Sequence, residues 1–382
     1  MKYITNLCRF LVGALFIFSG TVKAIDPVGT AIKMEEYFEI FGIYLPKLNF
    51  IWEAFAHEAL AFSMFMIILE IFLGITLLLG TWKKFTLWML VLIIAFFTFL
   101  TGFSAKTGKV TDCGCFGDFI KLTPSQSFQK DIVLCVLILV LVLGRKHIKE
   151  LFGKSLNRVF VSILTLVAII FTFRNVYYEP IKDFRAYKVG TSIPDCLKLP
   201  PNAKKPIIDM IYTYKNKKSG EAKEFKNTWP QDYDNWTYVD RKDVVIQKGD
   251  EPKCKDFAIK DANGSDYAPD FFAENEYLFL IIVPDLKKAN EDGFKKIIPV
   301  GEAAEKDGKY VYMLTGSVFS DVEAYKKKTP IPFQVFNTDA TPLKTIMRSN
   351  PGLMILKKGI VVAKYHFHEL PSYDELKKTV LK

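Results

Sequence analysis

Two cysteines one residue apart, Cys113 and Cys115, lie in the stretch Thr111-Asp112-Cys113-Gly114-Cys115-Phe116-Gly117-Asp118. Thiols this close can cycle between a dithiol and a disulfide and so carry a pair of electrons. A disulfide closed across a single glycine is a very small ring that departs from relaxed geometry, which favours its reduction. Gly114 and Gly117 permit the backbone angles that so tight a loop needs. A static loop crosslink and a metal site are the competing readings. Metal is the weakest of the three, because Asp112 and Asp118 are hard ligands and no histidine is near in sequence. The remaining four of the six cysteines carry less signal. Cys8 and Cys135 lie in apolar runs and read as small buried hydrophobes. Cys196 and Cys254 read first as a structural disulfide, with an electron relay to Cys113 or Cys115 as the alternative.

Two ionisable residues join the cysteine pair as auxiliary candidates. Glu70 stands between Leu69 and Ile71 within an apolar run, where a charge is costly and must face the interior of a bundle. It reads equally as a proton acceptor beside a quinone or thiol and as a protonated acid bonded to a neighbouring helix. Lys23 closes the first apolar run. Its expected partners are Asp26, Glu58 or the cysteine loop rather than the deeper Glu70. Beside a thiolate its charge would lower the cysteine pKa, while snorkelling toward water is the plainer role. His57 and Glu58 read as solvated anchors before they read as a proton shuttle. Trp52, Trp82 and Trp88 fit anchoring at a membrane interface.

The elements that position these residues are set by where the apolar residues fall. Half of the 382 residues are hydrophobic and 33 are Phe, yet the long apolar runs lie before Arg174 and the charge clusters after it. That segregation predicts a membrane half followed by a water-soluble half. Spanning helices are expected over about Ile4–Ile25, Ala59–Leu79, Phe85–Phe103, Phe128–Leu143 and Val159–Phe173, the fourth needing its flanks for length. The first run is read as a retained helix; a cleaved signal peptide is its rival, with Lys23 poorly suited to a cleavage site. Lys83 and Lys84, then Arg145, Lys146, Lys149, Lys154 and Arg158, mark two loops as cytoplasmic, whereas Glu35, Glu36, Glu39 and Glu53 mark the loop after the first span as exported. The expected topology has a cytoplasmic N-terminus, five crossings of a bacterial inner membrane and a periplasmic C-terminal half. Cys113 and Cys115 then face the compartment where thiols are oxidised. Residues 29–41 are expected to form a short amphipathic helix, either on the outer membrane surface or capping the bundle. The net charge of +10 belongs partly to this topology, and no basic-aromatic stripe calls for nucleic acid.

With these residues in place, the membrane half resembles a known family. Gly13-Ala14-Leu15-Phe16-Ile17-Phe18-Ser19-Gly20, Lys23 and Asp26-Pro27-Val28-Gly29-Thr30 are similar to the opening of DoxX-like membrane proteins. The Cys113–Gly117 loop resembles the MauE branch, named for methylamine utilisation, in a form found in Bacteroidetes with a periplasmic extension. The resemblance covers roughly the first 145 residues. It implies a four-helix membrane domain and a role in periplasmic disulfide formation. Quinone-coupled sulfur oxidation is a second association of DoxX-like proteins. A quinone is therefore the candidate cofactor, and the electron acceptor is otherwise unknown.

In the exported half, strands are expected at Pro206–Tyr214 and Asp243–Gln247 among Lys- and Asp-rich turns. Further on, strand Tyr277–Val283, a helix from Asp285 to about Glu305, strand Tyr310–Leu314, helix Val318–Lys327, strand Phe333–Phe336, helix Pro342–Arg348, the hairpin Leu353–Leu356 with Ile360–Tyr365, and helix Ser372–Leu381 give the order β-α-β-α-β-α-β-β-α. This resembles the thioredoxin fold, with Asn350-Pro351-Gly352 where thioredoxins keep a cis-proline. It departs at the decisive place: Pro284-Asp285-Leu286-Lys287-Lys288 stands where a Cys-x-x-Cys pair would be. Thiol exchange by the usual thioredoxin mechanism is excluded, and the domain reads as a binding or docking module.

The expected organisation is a DoxX/MauE-like four-helix domain over 1–145, a basic cytoplasmic loop and fifth span over 146–178, a linker and strand-rich region over 179–270, and a thioredoxin-like domain over 271–382. Two functions compete. One is membrane thiol-disulfide chemistry at Cys113 and Cys115, as an oxidoreductase or its accessory subunit, serving a periplasmic client. The other is a non-enzymatic membrane scaffold whose exported domain docks a partner. Membrane oxidases of the vitamin K epoxide reductase type relay electrons through a second cysteine pair, and the membrane half offers none.

Overall fold

A computed structural model describes residues 1–110, 114–247, 249–255 and 257–381. Its first half is helical: α1 (Lys2–Ile25), α2 (Pro27–Tyr44), α3 (Asn49–His57), α4 (Ala59–Leu79), α5 (Lys83–Thr107), α6 (Pro124–Leu143) and α7 (Lys154–Tyr177). Among the described residues, α1, α4, α5, α6 and α7 are long and apolar enough to cross a membrane. Each expected span is present and extended at one or both ends, except α4, whose bounds are unchanged. The short apolar run of the fourth span gains its length from its start. Thr123 and Gln126 form a reciprocal capping box there, and Pro124 takes the first helical position.

The bundle is tightest where α1 meets α4. A Cβ on Gly74 would sit 2.8 Å from the Gly13 carbonyl oxygen and 3.0 Å from the Ile17 nitrogen, so the two backbones approach as only small residues allow. One apolar core joins Val12 and Phe16 of α1, Leu73 and Leu77 of α4, Leu90 and Ile93 of α5, and Ile138 and Leu141 of α6. A second joins Ile67, Ile71 and Ile75 of α4 to Val161 and Ala168 of α7.

The helix expected around residues 29–41 is α2, and it caps the bundle. Met34, Tyr37, Phe38 and Phe41 are buried with Ala59, Leu100 and Val110, and the Tyr37 hydroxyl lies 2.6 Å from Ser104 Oγ. Asp26 fixes its start by accepting from the Gly29 N–H at 2.9 Å, ahead of Pro27.

The second half is an α/β domain with a small sheet appended. It contains α8 (Ile193–Cys196), β1 (Ile207–Asn216), β2 (Ala222–Lys226), β3 (Trp236–Gln247), α9 (Ala268–Ala273), β4 (Leu278–Val283), α10 (Glu291–Lys306), β5 (Tyr310–Thr315), α11 (Phe319–Lys326), β6 (Gln334–Asn337), α12 (Ala340–Ile346), β7 (Gly352–Lys357), β8 (Ile360–His366) and α13 (Tyr373–Thr379). β1, β2 and β3 form an antiparallel sheet in the order β2-β1-β3. The main sheet runs β6-β5-β4-β7-β8, with β4, β5 and β6 parallel and β7 and β8 antiparallel.

β4 is buried along its whole length because it is the central strand and both its faces are covered. Phe279, Ile281 and Val283 pack against α10, α11 and α13 through Phe294, Ile297, Val322 and Leu376. Leu280 and Ile282 pack against Phe257, Phe271, Leu343 and Ile346 on the other face. Cys196 and Cys254 are disulfide-bonded (2.04 Å) beside this second layer. The Asn350–Pro351 peptide is cis.

Two expectations need correction. The helix placed from Asp285 is two elements: a 3-10 turn at Leu286–Lys288 capped by Asp285, then α10, whose N-cap is Asn290. β2 was not expected and β3 starts seven residues earlier than its expected Asp243. Both strands lie in a largely exposed sheet, so no apolar alternation marks them.

Candidate functional site

Cys113 lies outside the described residues, so the geometry of the loop is given from Gly114 onward. Gly114 and Gly117 both take positive φ (61° and 50°), the left-handed region that glycine enters without strain. The Gly117 N–H donates to the Gly114 carbonyl at 3.1 Å, closing a turn around Cys115 and Phe116. This turn spans the gap between α5 and α6. It puts Cys115, half-buried, at the wall of a cleft of about 650 Å³, a volume that includes its open mouth.

The cleft brings the three described candidates together. Lys23, Glu70 and Cys115 all line it, with Ser19, Phe97 and Lys130. Lys23 Nζ lies 2.5 Å from Glu70 Oε1, and the side chains are 8% and 3% exposed. This corrects the expected partners of Lys23: it reaches down to the deeper carboxylate rather than out to Asp26, Glu58 or the loop. The reason is helix geometry. Lys23 lies in the last turn of α1, and the close α1–α4 packing at Gly20 and Ile71 puts Glu70 beside it. The ammonium also sits 4.6 Å from the centre of the Phe97 ring.

Ser19 connects this ion pair to the cysteine loop. Its Oγ lies 3.2 Å from Glu70 Oε2 and 3.0 Å from the Cys115 carbonyl oxygen. A hydroxyl carries one proton, so it donates to one of the two at a time. A buried carboxylate, an ammonium and a hydroxyl therefore form a short polar path from the interior of the bundle to the loop.

A second polar pair was missed in the sequence. Lys130 Nζ lies 2.9 Å from Asp131 Oδ1, Thr101 donates to Asp131 Oδ2 at 2.9 Å, and Lys130 stands 5.3 Å from the Phe116 ring centre. The signal was present, since Lys130-Asp131 interrupts the fourth apolar run close to its start and ionisable groups inside spans face the interior. Cys8 and Cys135 are in the apolar core, as small hydrophobes would be. His57 and Glu58 pair with each other at 3.0 Å on the exposed surface.

The α/β domain covers this end of the bundle through charged contacts that no local motif announces. Arg348 donates from Nε to Asp26 Oδ1 at 2.9 Å and from Nη2 to Asp26 Oδ2 at 2.7 Å. The same Nη2 lies 3.8 Å from Asp118, which ends the cysteine loop. Burial pushes the Asp26 carboxyl up, but the charge and hydrogen bonds of Arg348 outweigh it and hold Asp26 below the usual carboxylate range. Lys288 Nζ reaches Glu35 of α2 at 2.8 Å, so the 3-10 turn at Leu286–Lys288 rests on the bundle cap. Behind it, Glu179 accepts from the Arg348 N–H at 2.9 Å and from Arg185 at 2.5 Å. Asp183 is raised by burial but brought to about 2 by Arg185 and Lys364. Lys364 is lowered to about 8 by burial and the nearby Arg185.

Residues 1–144 match the family model described as Methylamine utilisation protein MauE. The match ends where α6 ends and takes in four of the five spans, the Lys23–Glu70 pair and the whole cysteine loop. The membrane half is similar to the MauE family over these residues. Protein TlpB of Flavobacterium psychrophilum is similar to this chain, 27% identical over 175 residues, which are 43% of this chain and 44% of that protein. The chain thus spans less than half the length of this curated relative. No solved structure matches the chain. The α/β domain and α7 lie beyond the MauE match, and the chain as a whole is a multi-pass membrane protein with an appended α/β domain.

Proposed function

We propose that this MauE-type protein supports thiol-disulfide chemistry outside the cytoplasm, with Cys113 and Cys115 as the exchanging pair. The observation that carries the reading is the convergence of Cys115 with the buried Lys23–Glu70 pair on one cleft, linked through Ser19. In the proposed cycle a client dithiol attacks the Cys113–Cys115 disulfide, passes through a mixed disulfide, and leaves as a disulfide, having given up two electrons and two protons. The loop dithiol is reoxidised by a quinone, which takes the two electrons and two protons and becomes a quinol. Glu70 and Lys23 are the groups proposed to hold and move those protons beside the loop. The charge bias of the loops supports a cytoplasmic N-terminus and a periplasmic α/β domain.

The α/β domain enters this reading as a thioredoxin-like cover without thiols at Pro284–Lys288. Its docking on Asp26 and Glu35 supports a role in holding the loop and presenting a client to it. The Cys196–Cys254 disulfide is read as structural. A non-enzymatic scaffold is the second reading. One observation favours it: α2 and the α/β domain already cover the bundle end where a client would enter.

Mixed-disulfide trapping separates the two. A Cys115→Ser or Cys113→Ser variant expressed in cells keeps one thiol of the pair. On the redox reading, one of these variants accumulates a covalent, reductant-sensitive adduct with an exported protein. Absence of any adduct in both variants contradicts that reading and leaves the scaffold.

A further inference from the structure

The end of the bundle away from the α/β domain carries a second cleft, between the start of α5 and the end of α6. Four cations converge on it: Lys83 and Lys84 from the first turn of α5, Arg145 and Lys146 from the turn after α6. Below them the walls are apolar, formed by Leu87 and Val91 of α5 and Val142 of α6. Trp88 stands at the rim, 74% exposed. The cleft holds about 950 Å³ including its open face, and no carboxylate lines it. None of the four cations forms an ion pair with a carboxylate among the described residues.

From this arrangement we infer that the cleft is a binding site for an anionic phospholipid. Positive loops at the ends of spans are expected from topology alone, but topology does not require four unneutralised cations to share one concave site. Their separation from the apolar walls matches a molecule with a phosphate at one end and acyl chain at the other. An exposed Trp at the boundary is the side chain that favours the headgroup level of a bilayer. Basic clefts between helices at the positively charged end of a bundle recognise anionic headgroups through charge and hydrogen bonding together. A free phosphate would meet the cations equally well but would leave Leu87, Val91 and Val142 without a partner.

The test uses the full chain purified in a neutral detergent, titrated with phosphatidylglycerol or phosphatidylcholine of the same acyl chains and read by native mass spectrometry. The parent is expected to prefer phosphatidylglycerol by roughly tenfold or more. Combined Lys83→Gln, Lys84→Gln, Arg145→Gln and Lys146→Gln should abolish that preference, while Lys149→Gln with Lys154→Gln, in the same loop but outside the cleft, should keep it. Unaltered thermal unfolding of both variants shows that folding is not the cause. Equal binding of the two lipids to the parent overturns the inference, as does an equal loss in the control variant. Complete displacement of the lipid by excess inorganic phosphate would assign the site to a free anion and also overturn it.

Discussion

Replacing Glu70 by glutamine keeps the side-chain volume and an acceptor for Ser19, but removes the charge opposite Lys23. Both partners of this pair are nearly fully buried, so the ammonium is left without a counter-ion in the bundle interior. Breaking a buried pair by removing one partner costs about 3–5 kcal/mol. The amide oxygen and the Phe97 ring at 4.6 Å still contact the ammonium, and a desolvated cation–π contact contributes about 2 kcal/mol. Glu70→Gln is therefore expected near the lower end, at about 3 kcal/mol. Lys23→Met strands the carboxylate with Ser19 as its one remaining hydrogen-bond donor among the described residues and is expected nearer to about 5 kcal/mol. Lys23→Met with Glu70→Leu removes both charges and should recover most of the loss, because two apolar residues of similar size pack without an orphaned ion. The assay is equilibrium unfolding of the purified chain in mixed micelles of increasing denaturing detergent, arranged as a double-mutant cycle. Single variants within about 1 kcal/mol of the parent, or a double variant no better than the worse single, would refute the buried pair as the polar centre of the bundle.

Arg348→Ala should release the α/β domain from the bundle, at a cost of about 3–5 kcal/mol for the stranded Asp26, and Arg348→Lys should restore only part because it cannot grip both carboxylate oxygens; faster hydrogen exchange in α2 and the 179–192 segment reports it. Because Asp26 is held below its ordinary 3.8, this contact is expected to be complete above that pH and lost only as pH falls through the lowered value. His366 is lowered from 6.5 to about 4, chiefly by burial, with Glu179 opposing and His368 and Lys296 adding to the shift. Its neutral Nδ1 accepts from the His368 N–H at 3.1 Å. The α/β domain should therefore be fully stable above about pH 6.5 and lose about 3 kcal/mol as pH falls to about 4; thermal melts of His366→Gln should show a shallower dependence over that window, and an unchanged slope would refute the assignment. Gly74→Ala should destabilise the bundle by about 1–3 kcal/mol, since its new Cβ meets the α1 backbone at Gly13 and Ile17 as well as the Ile17 side chain, and the backbone cannot step aside as a side chain can, whereas an unchanged melting temperature would mean that α1 and α4 are not so close.

The spans were legible because apolar length alone marks them, and the main sheet because β4, β5 and β7 are short apolar runs separated by caps and turns. The small sheet was legible only in β1 and the end of β3; β2 and the first half of β3 are largely exposed and show no apolar alternation. Within the site, Cys113, Cys115 and Glu70 stand out by residue type, a thiol pair beside glycine and a charge inside a span. The pairing of Lys23 with Glu70 was misjudged because sequence gives depth along a helix but not which helices touch. Glycines at 13, 20 and 74 were the available hint, as they mark where α1 and α4 approach. Lys130 and Asp131 had an ordinary signal that was absorbed into the run around them. Arg348 had none: it meets Asp26 across 322 residues of chain, and only the docking of the two halves brings them together.

Redox function requires that Cys113 and Cys115 exchange electrons with something outside the protein. Their redox state in living cells reports this without an intermediary, read by acid quenching, thiol alkylation with a mass tag and gel shift, with and without depletion of the quinone pool. An oxidised pair is expected in quinone-replete cells and the alkylated dithiol should accumulate on depletion, with slower reoxidation in Glu70→Gln once quinone is restored. A pair that stays fully oxidised in both conditions would contradict electron exchange and make the loop a structural staple.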